Sequence, residues 1–230
     1  IDAADVCIAT SHVTAERLEH ERLTHGVFVA EPGADRFERP VSAGQEPNGA
    51  RLRLLFVGNI MERKRVLELA RAFAHLSQEN SELVLVGAEL EPAYAQAVRA
   101  VIAQSGIDAR VHWLGSLDAS GVARQLSLAD VLLLPSALEG YGMVLSEALW
   151  AGVPIIAARV GAASALVSRT AAGLLFEPDD ASGLGTVLQS FVADRELRGK
   201  LRRAATQAAT LLPRWRDTAL ALRATLSQSR

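Results

Sequence analysis

The chain has 230 residues, half of them hydrophobic, with 26 acidic and 24 basic side chains and a formal net charge of −2. That is material for one large domain or one and a half, the balanced charge argues against a general nucleic-acid binder, and no uninterrupted apolar run is long enough to span a bilayer. The single cysteine, Cys7, excludes an internal disulfide and any multi-cysteine metal site, and fits a reducing, cytoplasmic setting.

Residues 1–30 read as strand, helix, strand. Apolar residues 5–9 come first, Ser11 is a plausible N-cap, a helical stretch runs to Leu23, and an apolar run at 27–30 follows. Residues 31–49, rich in Gly, Pro and polar side chains, read as a linker. From Arg51 the pattern alternates. Apolar strand candidates at 52–57, 83–86, 110–114, 131–134, 154–157 and 173–176 are separated by helical stretches at 64–76, 92–104, 120–128, 143–151 and 163–167. Near-continuous apolar strands alternating with helices indicate an α/β fold, a parallel sheet covered on both faces. Two helical segments close the chain, 181–211 (broken near Asp194) and 214–227, with Pro213 between them. The opening Ile1 reads as the start of a fragment or a processed product.

The most informative stretch is Glu139-Gly-Tyr-Gly-Met-Val-Leu-Ser-Glu147. It follows the apolar strand at 131–134 and leads into a helix, so two glycines sit at a helix mouth beyond a strand's C-terminal end. Open α/β sheets bind ligands there, and free N–H groups with the helix dipole favour phosphate. If the helix starts near Gly142, Glu147 lies roughly 7 Å along its axis. Two carboxylates flanking an anion site suit a ligand with hydroxyls on both sides of a phosphate, such as a sugar nucleotide. The first strand of the alternating region ends in Val57-Gly58-Asn-Ile-Met-Glu-Arg63-Lys64-Arg65. Cations at a helix start are electrostatically misplaced, and a bound anion would resolve the conflict.

Each segment also has an ordinary reading. The basic trio could be a solvated turn paired with Glu62 or Glu68, Glu147 an exposed helix residue, and Gly140 and Gly142 plain turn residues; a lone Gly-x-Gly is weak. The coincidence of the two loops beyond strands of one sheet shifts the balance toward function. Of the 24 basic residues 22 are arginine, which makes the retained Lys64 informative. The strand at 110–114 could line the same crevice, with a nucleobase against the backbone from Val111 to Gly115, though Trp113 and Leu114 read equally well as core. The segments 159–161 and 172–178 read mainly as turns, and the five histidines show no metal-ligand spacing.

Taken together these residues resemble the donor-binding half of a GT-B glycosyltransferase of the retaining family 4, whose hallmark is a Glu-x7-Glu motif with an aromatic-Gly pair inside. Other family-like features are Val57-Gly58 with Lys64, Leu114-Gly115, Ala129-Asp130 ahead of Leu134-Pro135-Ser136, and Ala172-Gly-Leu-Leu. The resemblance covers essentially the whole chain. It implies a Rossmann-like doubly wound parallel sheet with a remnant of the N-terminal domain. Residues 1–50 would be the tail of that acceptor domain and the interdomain linker, 51–212 the donor-binding domain, and 213–230 a helix packing back on the missing half.

The resemblance also implies roles. Glu139 would hold the donor sugar near the reacting centre, Glu147 would accept from the ribose, and N–H groups around Tyr141, Gly142 and Met143 would meet the distal phosphate. Lys64 with Arg63 would neutralise the diphosphate beside Gly58 and Asn59, and Val111 would face the base. Many members carry arginine where this chain has Asn59, which moves the burden onto Arg63 and Lys64. No metal or other cofactor is implied. The implied partners are a UDP-, GDP- or ADP-sugar, and a glycan or lipid-linked acceptor held by the missing half, with peripheral membrane association of the whole enzyme. The fragment alone is expected to be inactive as a hexosyltransferase. The alternatives are an epimerase-like nucleotide-sugar enzyme and a non-catalytic nucleotide-sugar-binding module.

Overall fold

The computed structural model describes residues 6–20, 27–40, 51–76, 80–180 and 182–228. The expected helix end near Leu23 and the linker beyond residue 40 lie outside those ranges. The chain opens with β1 (Cys7–Ala9), α1 (His12–His20) and β2 (Val27–Val29), the two strands forming a parallel pair of their own. Ser11 caps α1, its Oγ accepting from the Thr14 N–H at 3.1 Å.

The remaining strands are β3 (Leu52–Val57), β4 (Ser81–Val86), β5 (Val111–Trp113), β6 (Val131–Leu134), β7 (Ile155–Ala158) and β8 (Gly173–Phe176). They form one all-parallel sheet in the order β5-β4-β3-β6-β7-β8. Central strands must bury both faces, and Val131–Leu134 and Ile155–Ala158 are buried at every position. The edge strands Val111–Trp113 and Gly173–Phe176 are only partly buried, as one open flank requires.

The crossover helices are α2 (Val66–Ala74), α3 (Pro92–Gln104), α4 (Ala119–Leu128), α5 (Met143–Trp150) and α6 (Ala163–Thr170), followed by α7 (Gly183–Ala193), α8 (Arg195–Ala208) and α9 (Trp215–Gln228). From β3 the chain winds outward through β4 to β5, then returns to β6 and winds the other way. Right-handed crossovers therefore place α2 and α3 on one face and α5 and α6 on the other. The reversal leaves a crevice beyond the C-terminal ends of β3 and β6, neighbours in the sheet. No helix among the described residues is long and apolar enough to cross a membrane.

Residues 64–76 do not form one helix. Glu62–Lys64 is a 3-10 turn, Arg65 takes a left-handed conformation (φ 52°), and α2 begins only at Val66. A left-handed arginine is unfavourable in isolation. Here the Arg65 guanidinium is tied to the Pro178 carbonyl and lies 3.8 Å from Asp179.

Candidate functional site

The two loops singled out by the sequence meet at this crevice. Gly58 ends β3, and its N–H still donates to Val86 O at 2.9 Å. Ile60 N–H donates to Ala88 O at 2.7 Å, so the loop stays zipped to the end of β4 before turning into the basic trio. The approach is close: a Cβ on Gly87 would fall 1.9 Å from the Gly58 carbonyl oxygen, so only glycine fits. From the other side, Ala137 N–H donates to Arg63 O at 2.9 Å and Arg63 Nη1 to Leu138 O at 2.5 Å.

Lys64 Nζ donates to Glu139 Oε1, and Arg63 Nη1 lies 3.7 Å from the same oxygen. Both Lys64 and Glu139 are largely buried, with side-chain exposures of 13% and 10%. The turn is therefore not a solvated one paired with Glu62 or Glu68. Its cations face a carboxylate on the loop leaving the adjacent strand, and a buried lysine–carboxylate pair is retained only where its geometry is good. Asn59 stands exposed beside it.

Gly142 (φ 75°) caps α5 without a side-chain hydrogen bond. The N–H groups of Met143 and Val144 open the helix and have no partner four residues back within it. Met143 is exposed, whereas Tyr141 is buried. Burial pushes the Tyr141 phenol up to about 12; the Glu31 carboxylate adds to this, while Arg169 and Ser146 oppose it.

Glu147 is not an ordinary exposed helix residue. It is 4% exposed, between Ser146 and Ala148, which are fully buried. Burial raises its carboxyl above the usual carboxylate range, and Arg36, whose Nη1 reaches Glu147 Oε1 at 3.5 Å, pulls the other way.

Val111 is not brought to this edge. It opens β5 opposite Leu83, and it is Gly115, beyond the strand's far end, that reaches the crevice side, accepting from Gly87 N–H at 2.8 Å. Trp113 lies between, partly buried beneath the Arg99 guanidinium at 4.1 Å. A cavity of about 500 Å³ opens elsewhere, between α2 and α7, against Leu76, Phe176 and Leu184. It shares Arg65 and Pro135 with the crevice loops but not the Lys64–Glu139 pair.

Two site residues carried no usable signal in the sequence. Gly161, read as a turn, supports the Glu139 loop so closely that a Cβ there would lie 2.2 Å from Glu139 O. Arg36, read as linker, touches a carboxylate 111 positions away. Sequence spacing cannot announce such a contact.

The sequence profile described as "Glycosyl transferases group 1" matches residues 40–208. D-inositol 3-phosphate glycosyltransferase of Xylanimonas cellulosilytica is 30% identical over 237 residues, covering 96% of this chain and 56% of the relative. Sucrose-phosphate synthase from Thermosynechococcus elongatus superposes with a TM-score of 0.82 at 26% identity, over 99% of this chain and 59% of that one. HepE from Anabaena, solved with UDP and glucose, superposes with a TM-score of 0.81 at 21% identity, over 97% of this chain and 63% of that one. The chain spans about half the length of the curated relatives it matches.

Proposed function

The chain belongs to the group 1 glycosyl transferases, and on that footing we propose that it is the donor-binding half of a retaining enzyme. The full enzyme would move a hexose from a nucleoside diphosphate to an acceptor hydroxyl. The observation that carries this reading is the convergence at the β3/β6 crevice. Lys64 and Arg63 come from one loop, and Glu139 and the open N-terminus of α5 from the other, with Glu147 buried further along that helix.

In this reading the diphosphate lies between the α5 N–H groups and the Lys64 and Arg63 cations. In the free protein those cations face the Glu139 carboxylate. The sugar would sit over Glu139, which orients its hydroxyls, and the ribose diol would reach Glu147. The anomeric C–O bond to the diphosphate breaks while a bond to the acceptor oxygen forms on the same face, and the acceptor proton passes to the departing phosphate oxygen. Charge develops on that leaving oxygen, where preorganised cations and helix N–H groups stabilise it most. Glu139 is a positioning group here and not a nucleophile, and no metal ion is required.

Residues 1–50 would then be the tail of the acceptor domain and the linker, 51–212 the donor domain, and 213–230 the returning helix. A glycan or lipid-linked acceptor would bind the other half, with the whole enzyme at the cytoplasmic face of a membrane.

Thermal denaturation of this chain with UDP, GDP, ADP and their sugar conjugates tests the reading, with UDP first because HepE was solved with it. A nucleotide at 100 times its dissociation constant adds about 2.7 kcal/mol, a rise of roughly 5–10 °C for a domain of this size. One nucleotide should stabilise the wild type and lose its effect in Lys64→Ala and Glu147→Ala, with no sugar transfer by the isolated chain. Silence from every nucleotide, or full turnover without the other half, would overturn the proposal.

A further inference from the structure

Glu147 is the only titratable side chain on α5, and it is buried in an apolar helix flanked by Leu145 and Leu149. The strands packed against that helix, Val131–Leu134 and Ile155–Ala158, contribute no charge. On α8, Arg202 is spent on Ala129 O and Asp130. Arg39 donates to the carbonyls of Trp150 and Thr206, and Arg214 lies over the Trp150 ring at 5.5 Å. Among the described residues that leaves Arg36 as the cation that meets the Glu147 carboxylate.

Arg36 does not sit on a loose loop. Glu31 O accepts from Thr218 Oγ1 at 2.7 Å, Ala34 N–H donates to Pro213 O at 2.9 Å, and Asp35 Oδ1 accepts from Trp215 N–H at 2.7 Å. On the other side, Phe37 O accepts from Trp150 Nε1 at 3.0 Å. Both neighbours of Arg36 are thus pinned, one to the start of α9 and one to the end of α5. The guanidinium itself stays half exposed, at 50%, so solvent screens part of its pull on the buried carboxylate. The segment is built to deliver a cation to one buried carboxylate.

We infer that Arg36 is a positioning residue for the nucleotide: it keeps Glu147 ionised and aimed, so that two carboxylate oxygens can accept from the two ribose hydroxyls. This rests on the reading that Glu147 meets the ribose. A protonated carboxyl has lost acceptor capacity and carries a donor where two hydroxyl hydrogens arrive. Burial alone drives Glu147 toward that form, and the Arg36 charge opposes it. The sign follows: without Arg36 the carboxyl takes up its proton at higher pH, and the acid side of the binding profile moves toward neutrality.

The test uses this chain as wild type, Arg36→Ala and Arg36→Lys. UDP, GDP and ADP affinities are measured by calorimetry between about pH 5.5 and 8.5, and the Glu147 carboxyl is titrated by carbon-13 NMR in the free proteins. Arg36→Ala should leave the melting temperature nearly unchanged in acid, where Glu147 is protonated, and lower it increasingly toward pH 8 as the carboxyl ionises without its cation. It should weaken binding about tenfold near pH 6 and by less near pH 8, with Lys restoring part of the loss. The Glu147 titration should move to higher pH in the alanine variant. An unmoved titration, or an affinity loss equal at every pH, would overturn the inference while leaving the donor site standing. A wild type that ignores every nucleotide would instead remove the donor reading, and the ribose role of Arg36 with it.

Discussion

Glu147→Gln should melt higher than the wild type at pH 8 and bind nucleotide 10- to 100-fold more weakly. Glutamine keeps the shape of the side chain and removes a charge that burial penalises. The folded chain holds the Glu147 proton more tightly than an unfolded chain, whose carboxyl titrates near 4.5. Stability from this group is therefore fully present below that value and is lost as pH rises through the higher folded one. The amide escapes the loss. Its advantage should be absent in acid and grow across that window to about 1 kcal/mol, roughly 2–4 °C for a domain of this size. Arg36, half exposed, keeps water as a partner when the charge disappears. If Glu147 meets the ribose as proposed, binding falls because an amide offers one acceptor oxygen in place of two. Thermal denaturation at pH 5 and pH 8, paired with calorimetry, checks both halves. Parallel pH curves for the two proteins would show that Glu147 carries no such burden.

Gly161→Ala should be strongly damaging for a single added methyl, and it acts directly on the loop that carries Glu139. Gly161 has φ 54°, and its Cβ would meet Glu139 O at 2.2 Å and Gly140 O at 2.9 Å. Those are backbone atoms, so no rotamer change relieves the clash; the whole Glu139 loop must move away from Lys64. The combined conformational and steric cost is on the order of 2–3 kcal/mol, and nucleotide affinity should fall with it. Gly140→Ala is the control, since a Cβ there meets nothing within 4 Å. It should leave the melting temperature within about 1–2 °C of wild type. Equal effects at the two glycines would mean that Gly161 does not support the loop.

Much of the fold was legible because buried parallel strands write themselves as apolar runs. Val131–Leu134, Gly173–Phe176 and the helix Pro92–Gln104 begin and end where the sequence pattern places them. The break at Arg65 was not legible. Nothing in Glu-Arg-Lys-Arg-Val announces a left-handed arginine, and the carbonyl its guanidinium meets lies 113 residues away. The burial of Glu147 was hidden for a different reason. Met-Val-Leu-Ser-Glu-Ala-Leu-Trp is so apolar that its periodicity marks no face, and an acidic residue there reads by default as the solvent side. Val111 shows the limit of reading a site from a strand's position alone. The strand was found, but its register put that residue at the end away from the crevice.

The crevice has a consequence for how the molecule comes apart. Lys64 hangs from the half of the sheet built by β3, β4 and β5, and Glu139 from the half built by β6, β7 and β8. Within the sheet the seam between them is one ladder of three paired positions, Leu54 with Val131, Leu55 with Leu132 and Phe56 with Leu133, continued by the Asp130 N–H to Arg53 O and Ala137 N–H to Arg63 O hydrogen bonds. A chain with only one half folded owns the cations or the carboxylate, never both. A ligand bound as proposed would therefore report that both halves have docked, and by bridging the two loops it would work as a clasp across the seam. Its protection should be concentrated in the amides of β3 and β6, slowing their hydrogen exchange more than that of the outer strands.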